Sequence, residues 1–269
     1  MNCDREIYVI GDLHGDYDLI DAKFGESDSN SKEKYNVLFV AGDAGFINSY
    51  ETKDSINQRK KHLNGVPFII IAILGNHENY DVIESLPETT IFGATCYKED
   101  GVDVYYAKNG QIFNIDGTKI FTYNGGLSID KEKRLDYEKK YGVKLWWEQE
   151  VDVEKFDESF KNIINEKIDY IITHDVPRSV FLKLTPFIPG RFKNYPCPLH
   201  NCFEKIFSLK NFKHWYSGHY HPSFPVTIEN VTVLPIGYLT KIKWAIACSF
   251  FLFDFYNIWI DIKICCCSI

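Results

Sequence analysis

The chain has 269 residues, of which 45% are hydrophobic and 25% charged, and its formal net charge is -7. This length is enough for one large domain, or two small ones, with a well-buried core. The net negative charge argues against sequence-independent binding to duplex nucleic acid, which depends on clustered lysine and arginine. It does not exclude a small anion held by metal ions, because a bound cation dominates the local field.

The eight cysteines are scattered along the chain, apart from a cluster near the C-terminus. No secretory signal peptide is evident before the first predicted strand, so we expect reduced thiols and a cytoplasmic location. Residues 197–202 (CPLHNC) look like half of a zinc knuckle, but no second half has matching spacing. A helix start with buried thiols is therefore the favoured interpretation.

Five apolar runs in the chain each end in aspartate, asparagine or histidine. A continuously apolar run is expected for a strand that is covered on both faces. Ligands bind outside the carboxyl ends of the strands in open α/β sheets, so these five ends are predicted to pool their polar residues at one site. The runs with their polar ends are residues 6–16, 36–43, 67–78, 169–175 and 213–221.

Helices are predicted between several of these runs. A short amphipathic helix is expected over residues 17–24 because the apolar side chains have helical spacing. Residues 48–64 have a helix-forming composition with charges on most faces, which predicts a solvated helix. Further helices are predicted from near residue 81, over residues 153–167 and over residues 202–209.

From Val104 the pattern changes to short strands separated by turn dipeptides. The dipeptides Asn109-Gly110 and Asp116-Gly117 favour two-residue hairpin turns. The sequence therefore predicts an antiparallel meander inside an otherwise α/β chain. Its strands are residues 104–107, 111–115 and 119–123.

Two later segments are predicted to be loops. Residues 124–130 (NGGLSID) leave the meander and are expected to be mobile. Residues 186–198 are rich in proline and are expected to form a loop or a lid.

The C-terminal tail departs from the rest of the chain. Residues 244–260 are strongly apolar and aromatic, but Asp254 interrupts them and they fall short of the ~20 apolar residues that a bilayer span needs. Closing strands of the fold are therefore favoured over a membrane anchor. The terminal residues Cys266-Cys267-Ser268-Ile269 meet a prenylation pattern only formally. The expected division is a domain over residues 1–237 and a tail over residues 238–269.

The five polar ends carry the residue types that a two-metal site needs. Two divalent ions about 3.5–4 Å apart need a bridging carboxylate, together with neutral ligands that limit the accumulated negative charge. Imidazole and carboxylate together suit Fe, Mn, Zn or Ni, and the lack of thiolates in the motifs argues against a structural zinc cluster. In order, the motifs are Gly11-Asp12-Leu13-His14-Gly15, Gly42-Asp43, Gly75-Asn76-His77-Glu78, His174 and Gly218-His219-Tyr220-His221.

This set resembles the calcineurin-like metallophosphoesterase superfamily, motif for motif and in order, over residues 6–237. The resemblance implies an α/β sandwich of two mixed β-sheets flanked by helices, with a binuclear metal site at the carboxyl ends of the strands. It also implies a metal-dependent phosphoric ester hydrolase that acts on a phosphomonoester or a phosphodiester. In that chemistry a metal-bridging hydroxide attacks phosphorus in line while the metals bind the non-bridging oxygens.

By position, the resemblance assigns roles to individual side chains. The ligands implied for one metal are Asp12, His14 and His221, and those implied for the other are Asn76, His174 and His219. Asp43 resembles the carboxylate that bridges the two. His77 resembles the histidine that stabilises the transition state and protonates the leaving oxygen. These two residues, Asp43 and His77, are therefore the predicted catalytic residues.

Three acidic residues beside the motifs are predicted to support the ligands. Glu78 is expected to hold its own turn together through hydrogen bonds to the backbone. Asp16 and Asp175 are expected to orient the ligating histidines.

Departures from the superfamily pattern indicate which subfamily the chain resembles. Ser/Thr protein phosphatases of this kind carry Asp-Arg-Gly after the second motif and an arginine before the third, but here those places read Phe46-Ile47-Asn48 and Leu74. The segment from Gly125 to Lys131, with Arg134 and Trp146-Trp147 downstream, instead resembles small bacterial and phage-type metallophosphoesterases. Lys131 and Arg134 are candidates for contacts with a substrate phosphate. The alternative is that they are ordinary surface charges.

Two alternatives remain open from the sequence. A catalytically silent member of the superfamily would use the fold as a binding scaffold, but it would be expected to have lost ligands that this chain retains. A nuclease acting on structured nucleic acid would keep the site but needs a basic approach surface. The expected partner is a small phosphorylated substrate, with a nucleotide as one option, rather than a stably bound nucleic acid. Membrane association through the tail is not favoured.

Overall fold

The computed structural model describes residues 5–16, 18–20, 36–193, 197–221 and 224–236, and the backbone of residues 242–245. The strands are β1 (Glu6–Ile10), β2 (Asn36–Ala41), β3 (Phe68–Ile73), β4 (Glu88–Ile91), β5 (Ala94–Lys98), β6 (Val104–Ala107), β7 (Gln111–Ile115), β8 (Thr118–Tyr123), β9 (Tyr170–Thr173), β10 (His214–Ser217), β11 (Val226–Ile228), β12 (Val231–Pro235) and β13 (Ile242–Ala245). The helices are α1 (Lys53–Gly65), α2 (Tyr80–Glu84), α3 (Lys131–Tyr141), α4 (Phe156–Ile163), α5 (Arg178–Leu184), α6 (Gly190–Lys193) and α7 (Leu199–Phe207), with a 3-10 helix at Glu148–Val151.

The strands form two mixed sheets. The first has seven strands in the order β13-β1-β2-β3-β6-β5-β4, and the second has six in the order β11-β12-β10-β9-β8-β7. Neighbours β1, β2 and β3 run parallel, as do β8, β9, β10 and β12. The carboxyl ends of parallel neighbours lie at the same edge of a sheet, so the polar residues that follow β1, β2, β3, β9 and β10 are brought together.

Alternate residues of the strands supply three buried layers. Ile7 and Val9 of β1 pack between the sheets with Phe113 and Ile172 of the second sheet. Tyr8 and its strand neighbour Ile10 point the other way, into a cluster that α1 covers. A third cluster joins β9 and β10 to α4, α5 and α7. Both faces of the central strands are therefore buried, as their continuous apolar runs predict. This architecture confirms the predicted sandwich of two mixed sheets flanked by helices.

The predicted antiparallel meander is only half correct. Strands β7 and β8 do form an antiparallel hairpin, and Asp116 and Gly117 at its turn both have positive φ (50° and 87°), as a type I′ turn requires. Strand β6, however, lies in the other sheet and pairs parallel with β3. The Asn109-Gly110 turn therefore carries the chain from one sheet to the other. A dipeptide signals a reversal of direction, but it does not specify which strand the chain pairs with afterwards.

Other elements refine the sequence predictions. The β4–β5 hairpin turns at Phe92 and Gly93, also with positive φ (51° and 79°), and was not predicted. The predicted solvated helix is α1, whose Arg59 is nevertheless buried between Glu51 and Glu99. Residues 18–20 of the helix expected over residues 17–24 are helical, and the rest of it lies outside the described residues.

The start of the tail belongs to the first sheet. Strand β13 pairs antiparallel with β1, with Glu6 opposite Ala245 and Val9 opposite Ile242. The later tail, including Asp254 and the terminal cysteines, lies outside the described residues. In the part of the chain that the structure describes, no helix has the length and apolar character needed to cross a membrane. The division between residues 237 and 238 stays a prediction.

Candidate metal centre

Three groups of potential ligand atoms lie where the polar strand ends meet. In each group the atoms are within 4.8 Å of one another, and two of the groups share Asp43. Another pair of groups shares Asp12, so the three groups form one connected cluster. The groups are Asp12 with His14 and His221, His14 with Asp43 and His77, and Asp12 with Asp43 and His174.

Asp43 lies at the centre of this cluster. Its Oδ2 atom is 3.4 Å from Nε2 of His174 and 3.9 Å from Nε2 of both His14 and His77. Its Oδ1 atom accepts a hydrogen bond from the backbone N–H of His77 at 2.8 Å. Burial opposes the ionisation of Asp43, but the neighbouring His174 outweighs it and holds the pKa of Asp43 well below its usual range. An ionised carboxylate in this position can contact cations on either side.

The protonation of His174 is set by its backbone partner. Its Nδ1 atom lies 3.0 Å from the carbonyl oxygen of Ala41, which can only accept, so Nδ1 carries a proton. Its Nε2 atom faces Oδ1 of Asn76 at 3.1 Å, in addition to Asp43. In the neutral ring Nε2 is also an acceptor, so three acceptors converge on one point. Only a cation between them, either a proton on Nε2 or a metal ion, satisfies all three.

Five of the predicted ligands have left-handed backbone conformations. Such conformations are uncommon outside glycine and cluster at functional sites, where the surrounding structure holds them. The φ angles are 43° for Asp12, 50° for His14, 49° for Asp43, 70° for His219 and 63° for His221. The sharp turns after β1, β2 and β10 therefore direct these side chains to the cluster.

Two glycines leave the space that the cluster needs. Gly42 has φ of 85°, and a Cβ atom there would lie 2.0 Å from Nδ1 of His174. A Cβ atom on Gly75 would lie 2.2 Å from Oδ1 of Asp43. Both contacts are far shorter than van der Waals separations, so neither position accepts a side chain without displacing a predicted ligand.

The last motif contributes in two different ways. His221 places Nε2 at 3.5 Å from Oδ1 of Asp12, as expected for ligands of one ion. His219 donates its backbone N–H to the carboxylate of Asp12 at 3.0 Å. The ring of His219 packs on His174 with 4.8 Å between centroids, but its nitrogens belong to none of the three groups. Burial, followed by the charge on His174, lowers the pKa of His219 to about 4.

His77 projects from the cluster towards solvent, and its side chain is 44% exposed. Its ring lies edge-on to His14 and contacts Arg134, whose Nη2 is 2.9 Å from Nε2 and 3.2 Å from Nδ1. Because guanidinium only donates, this contact needs an unprotonated ring nitrogen. Burial, with a further contribution from Arg134, lowers the pKa of His77.

Arg134 is buried, so the alternative of an ordinary surface charge is wrong. Its Nη1 donates to the carbonyl oxygen of Asn76 at 2.8 Å, and its Nε donates to Asp130 at 2.9 Å. Lys131 lies one turn away on α3, and its Nζ is 3.8 Å above the ring of Trp146. The structure thus places Arg134 against the candidate site and Lys131 against an indole face.

The acidic residues predicted to support the ligands have three different positions. Glu78 is buried, and its Oε1 accepts the backbone N–H groups of Ala44 at 2.7 Å and Gly45 at 3.4 Å, which belong to the turn after β2 and not to its own turn. Burial, followed by the charge on Asp43, raises the pKa of Glu78 to about 8. Asp16 is exposed, and within the described chain its carboxylate makes no hydrogen bond to a ligand histidine.

Asp175 contacts residues that were not predicted as ligands. Its Oδ1 atom is 3.0 Å from Nε2 of His200 and accepts the hydroxyl of Tyr220 at 2.9 Å. His200 is in the first turn of α7, so residues 197–202 form a helix start with a buried Cys197. Tyr220 lies between the two histidines of the last motif. Asp175 therefore acts on that motif through Tyr220 rather than by a direct contact with a ligand imidazole.

Sequence reasoning missed Ser128 and Glu150. Ser128 Oγ accepts a hydrogen bond from Nδ2 of Asn76 at 3.2 Å, and it donates to Oε2 of Glu150 at 2.6 Å. Both Ser128 and Glu150 are buried, which contradicts the expectation of a mobile loop over residues 124–130. Ser128 lies in a segment already singled out by its glycines. Nothing in the sequence distinguishes Glu150 from the other acidic residues of its charged stretch.

Comparisons with solved structures find distant similarities of fold. The fold is similar to that of the phosphopantetheinyl hydrolase from Mycobacterium tuberculosis, with 15% identity and a TM-score of 0.47 over 89% of this chain and 92% of that one. It is also similar to the protein TT1561 of Thermus thermophilus, with 9% identity and a TM-score of 0.46 over 88% of this chain and 91% of that one. These likenesses are too distant to carry a conclusion about substrate.

A comparison with curated proteins finds no significant match. The profile of the calcineurin-like phosphoesterase family, by contrast, matches residues 5–223. This range includes every predicted ligand and the strands that position them. The chain belongs to the calcineurin-like phosphoesterase family and is a metal-dependent phosphoric ester hydrolase.

Proposed function

We propose that the chain hydrolyses a small phosphorylated substrate, a phosphomonoester or a phosphodiester, at two divalent metal ions held by the strand-end cluster. The observation that carries this proposal is the connected set of ligand groups that share Asp12 and Asp43. A shared carboxylate at the centre is the arrangement that two adjacent cations need.

The chemistry of the donors supports metal binding. Asp12, His14 and His221 would hold one ion, Asn76, His174 and His219 the other, and Asp43 both. The convergence of Asp43 Oδ2, Asn76 Oδ1 and His174 Nε2 leaves acceptors facing one another unless a cation lies among them. Imidazole, amide and carboxylate donors suit Mn, Fe, Zn or Ni, with manganese the first ion to test. When bound, two such ions supply Lewis acidity to the phosphoryl oxygens and activate the attacking water at neutral pH.

His77 is proposed to act on the substrate directly. Asp43 fixes its backbone, Arg134 contacts its ring, and the side chain remains 44% exposed. Arg134 Nη2 lies near both ring nitrogens but donates to only one at a time, so in the neutral ring the other nitrogen carries the proton and can donate a hydrogen bond to a phosphoryl or leaving oxygen. His77 therefore has the position expected of a residue that stabilises the transition state.

Arg134 is proposed to position this part of the site. It ties the carbonyl of Asn76 to the ring of His77, and Asp130 balances its charge. Lys131 remains a candidate contact for the outer part of the substrate, since it lies on the same helix. A nucleotide is one substrate type consistent with these positive groups.

The proposal is tested with purified protein that is stripped of metal and reloaded with manganese. A chromogenic phosphomonoester and a chromogenic phosphodiester are offered in parallel. We expect turnover to return with the metal and to be abolished in Asp43→Asn, because this change removes the shared charge while keeping the shape of the side chain. Metal-independent turnover, or wild-type turnover in Asp43→Asn, would contradict the proposal. Binding of two ions without turnover on any ester would favour the silent scaffold.

A further inference from the structure

The segment after β8 reaches the candidate metal centre and is fastened there by Glu150. The backbone N–H of Gly126 donates to the carbonyl oxygen of Glu150 at 2.9 Å. The two carboxylate oxygens of Glu150 accept from Ser128, one from its backbone N–H at 2.8 Å and one from its hydroxyl at 2.6 Å. Because both oxygens are used on one residue, Ser128 has a single allowed position and its hydroxyl proton a single direction.

The direction of the Ser128 hydroxyl proton determines which end of the Asn76 side-chain amide can hydrogen-bond to Ser128. Its hydroxyl hydrogen is committed to Glu150, so only its lone pairs remain for a third partner. The group that approaches them is the Asn76 side chain, at 3.2 Å. An amide can meet lone pairs only with its NH2 end. The Nδ2 end of Asn76 therefore faces Ser128, and its Oδ1 end faces His174.

The backbone of Asn76 is held separately. Arg134 donates to its carbonyl oxygen at 2.8 Å, but this contact does not distinguish the two ends of the side-chain amide. The two ends have almost the same shape, so packing does not distinguish them either. On the side away from His174, hydrogen-bond polarity passed from Glu150 through Ser128 selects between them, and it favours the same end as a proton on Nε2 of His174 does.

We propose that Ser128 and Glu150 are positioning residues that hold the amide oxygen of Asn76 towards one of the two metal ions. This inference rests on the proposed function in one respect, namely that Asn76 is a metal ligand. Ser128 is 1% exposed, Glu150 2% and Asn76 5%, so water does not replace the partners. An amide turned the other way would present hydrogen atoms to the cation instead of a lone pair.

The test measures manganese binding to the metal-stripped, full-length protein by titration calorimetry, together with the melting temperature of the metal-free protein. In Ser128→Ala the acceptor for Nδ2 is lost, and we expect one of the two binding events to weaken by about 10- to 100-fold while the other is unchanged. Ser159→Ala is the matched control. Ser159, on α4, is also a buried serine, but its hydroxyl donates to the carbonyl of Lys155 just before that helix, and this change should leave both binding events as in the wild type.

Glu150→Gln provides a second variant of nearly identical shape. Glutamine has one acceptor oxygen where glutamate has two, so one Ser128 donor then faces an NH2 group. Either the hydrogen bond from the Ser128 backbone N–H to residue 150 is lost, or the Ser128 hydroxyl turns and points its proton towards Asn76. We expect the same binding event to weaken as in Ser128→Ala. This variant keeps the test decisive if the alanine variant does not fold.

Combining Ser128→Ala with Asn76→Asp distinguishes loss of the orientation of the Asn76 amide from general damage to the site. A carboxylate offers an oxygen at either end, so Ser128→Ala in the Asn76→Asp background should have no further effect on the weakened event. The inference is overturned if Ser128→Ala binds both ions as the wild type does, if it weakens both events equally, or if its effect persists in full in Asn76→Asp. Two normal binding events without any esterase turnover would contradict the proposed function and leave this inference standing.

Discussion

The candidate metal centre has two parts that differ in exposure. The floor consists of Asp12, Asp43, Asn76 and His174, all of which are buried. The rim consists of His14, His77 and His221, whose side chains are 36%, 44% and 52% exposed. The floor residues follow β1, β2, β3 and β9, and the rim residues follow β1, β3 and β10. The difference arises from the turns, which direct some side chains between the sheets and others towards solvent.

This difference separates two roles. Each floor side chain has partners within the protein, such as the carbonyl of Ala41 for His174 and the backbone N–H of His219 for Asp12. The rim histidines mainly face the floor carboxylates and one another. The floor is therefore part of the folded structure even without ions, whereas the rim side chains are partly exposed to solvent. The comparison leads to four predictions.

The largest expected effect is on turnover, through the rim residue His77. Replacing His77 with Ala should lower kcat by about 10²- to 10⁴-fold, the range for loss of a positioned proton donor. Metal content should stay unchanged, because His77 is not a predicted ligand. Steady-state kinetics measures kcat, and elemental analysis of the same samples measures the metal content. Loss of a metal ion would make His77 a ligand instead.

The second effect compares one floor and one rim histidine in the stability of the metal-free protein. His174→Ala leaves a cavity and removes the cation shared by Asp43 and Asn76, so it should lower the free energy of unfolding by about 3 kcal/mol. His221→Ala removes a half-exposed ring and should cost less than about 1 kcal/mol. Urea unfolding of the two stripped variants measures the difference. Equal losses would show that the floor and the rim are not distinct.

The third effect is the stabilisation that metal provides. Ions that bind the folded state alone should stabilise it by about 2.7 kcal/mol for each site at a free concentration 100-fold above its Kd. The melting temperature of the stripped protein should therefore rise with added manganese and fall again with a chelator. His221→Ala should reduce this rise, although it barely changes the stripped protein. A rise that is unchanged in His221→Ala would remove the rim from metal binding.

The smallest expected effect concerns the link between the two parts. Arg134 contacts the rim through His77 and the floor through the backbone of Asn76. Arg134→Lys keeps the charge but cannot make these contacts together, since it lacks the planar fork of donors. We expect kcat to fall by about tenfold, equivalent to about 1.4 kcal/mol, with KM for a small ester changed little. Lys139→Arg, at a position of the same helix whose side chain is 78% exposed, serves as the control. A selective rise in KM would instead make Arg134 a substrate contact.

Much of the fold and of the site could be predicted from local patterns. A strand that ends in glycine and a polar residue is a local feature, and parallel strands bring such ends together whatever lies between them. The floor and rim residues were all identified in this way. Glu78 was expected to bond the backbone and does so, but its partners Ala44 and Gly45 lie in the turn after the second motif, 34 and 33 positions earlier.

The misjudged features depend on contacts between distant parts of the chain. The assignment of β6 to one sheet and β7 to the other depends on which strands are free to pair, and a turn dipeptide carries no information about that. Arg134 is buried against residues distant in sequence, among them Asn76 and His77, which lie 58 and 57 positions earlier. Asp175 was expected to orient a ligating histidine, but it contacts His200 instead.

The sequence by itself determined the chemistry of the centre: which donors it has, that they converge, and that the residues suit two cations rather than a thiolate cluster. These properties follow from residue type and from the periodicity of single strands. Only the tertiary structure decided which end of Asn76 faces His174, which partner His77 has and which predicted ligands are buried. Those depend on hydrogen-bond polarity and packing between segments such as Ser128 and Glu150, which no single stretch of sequence contains.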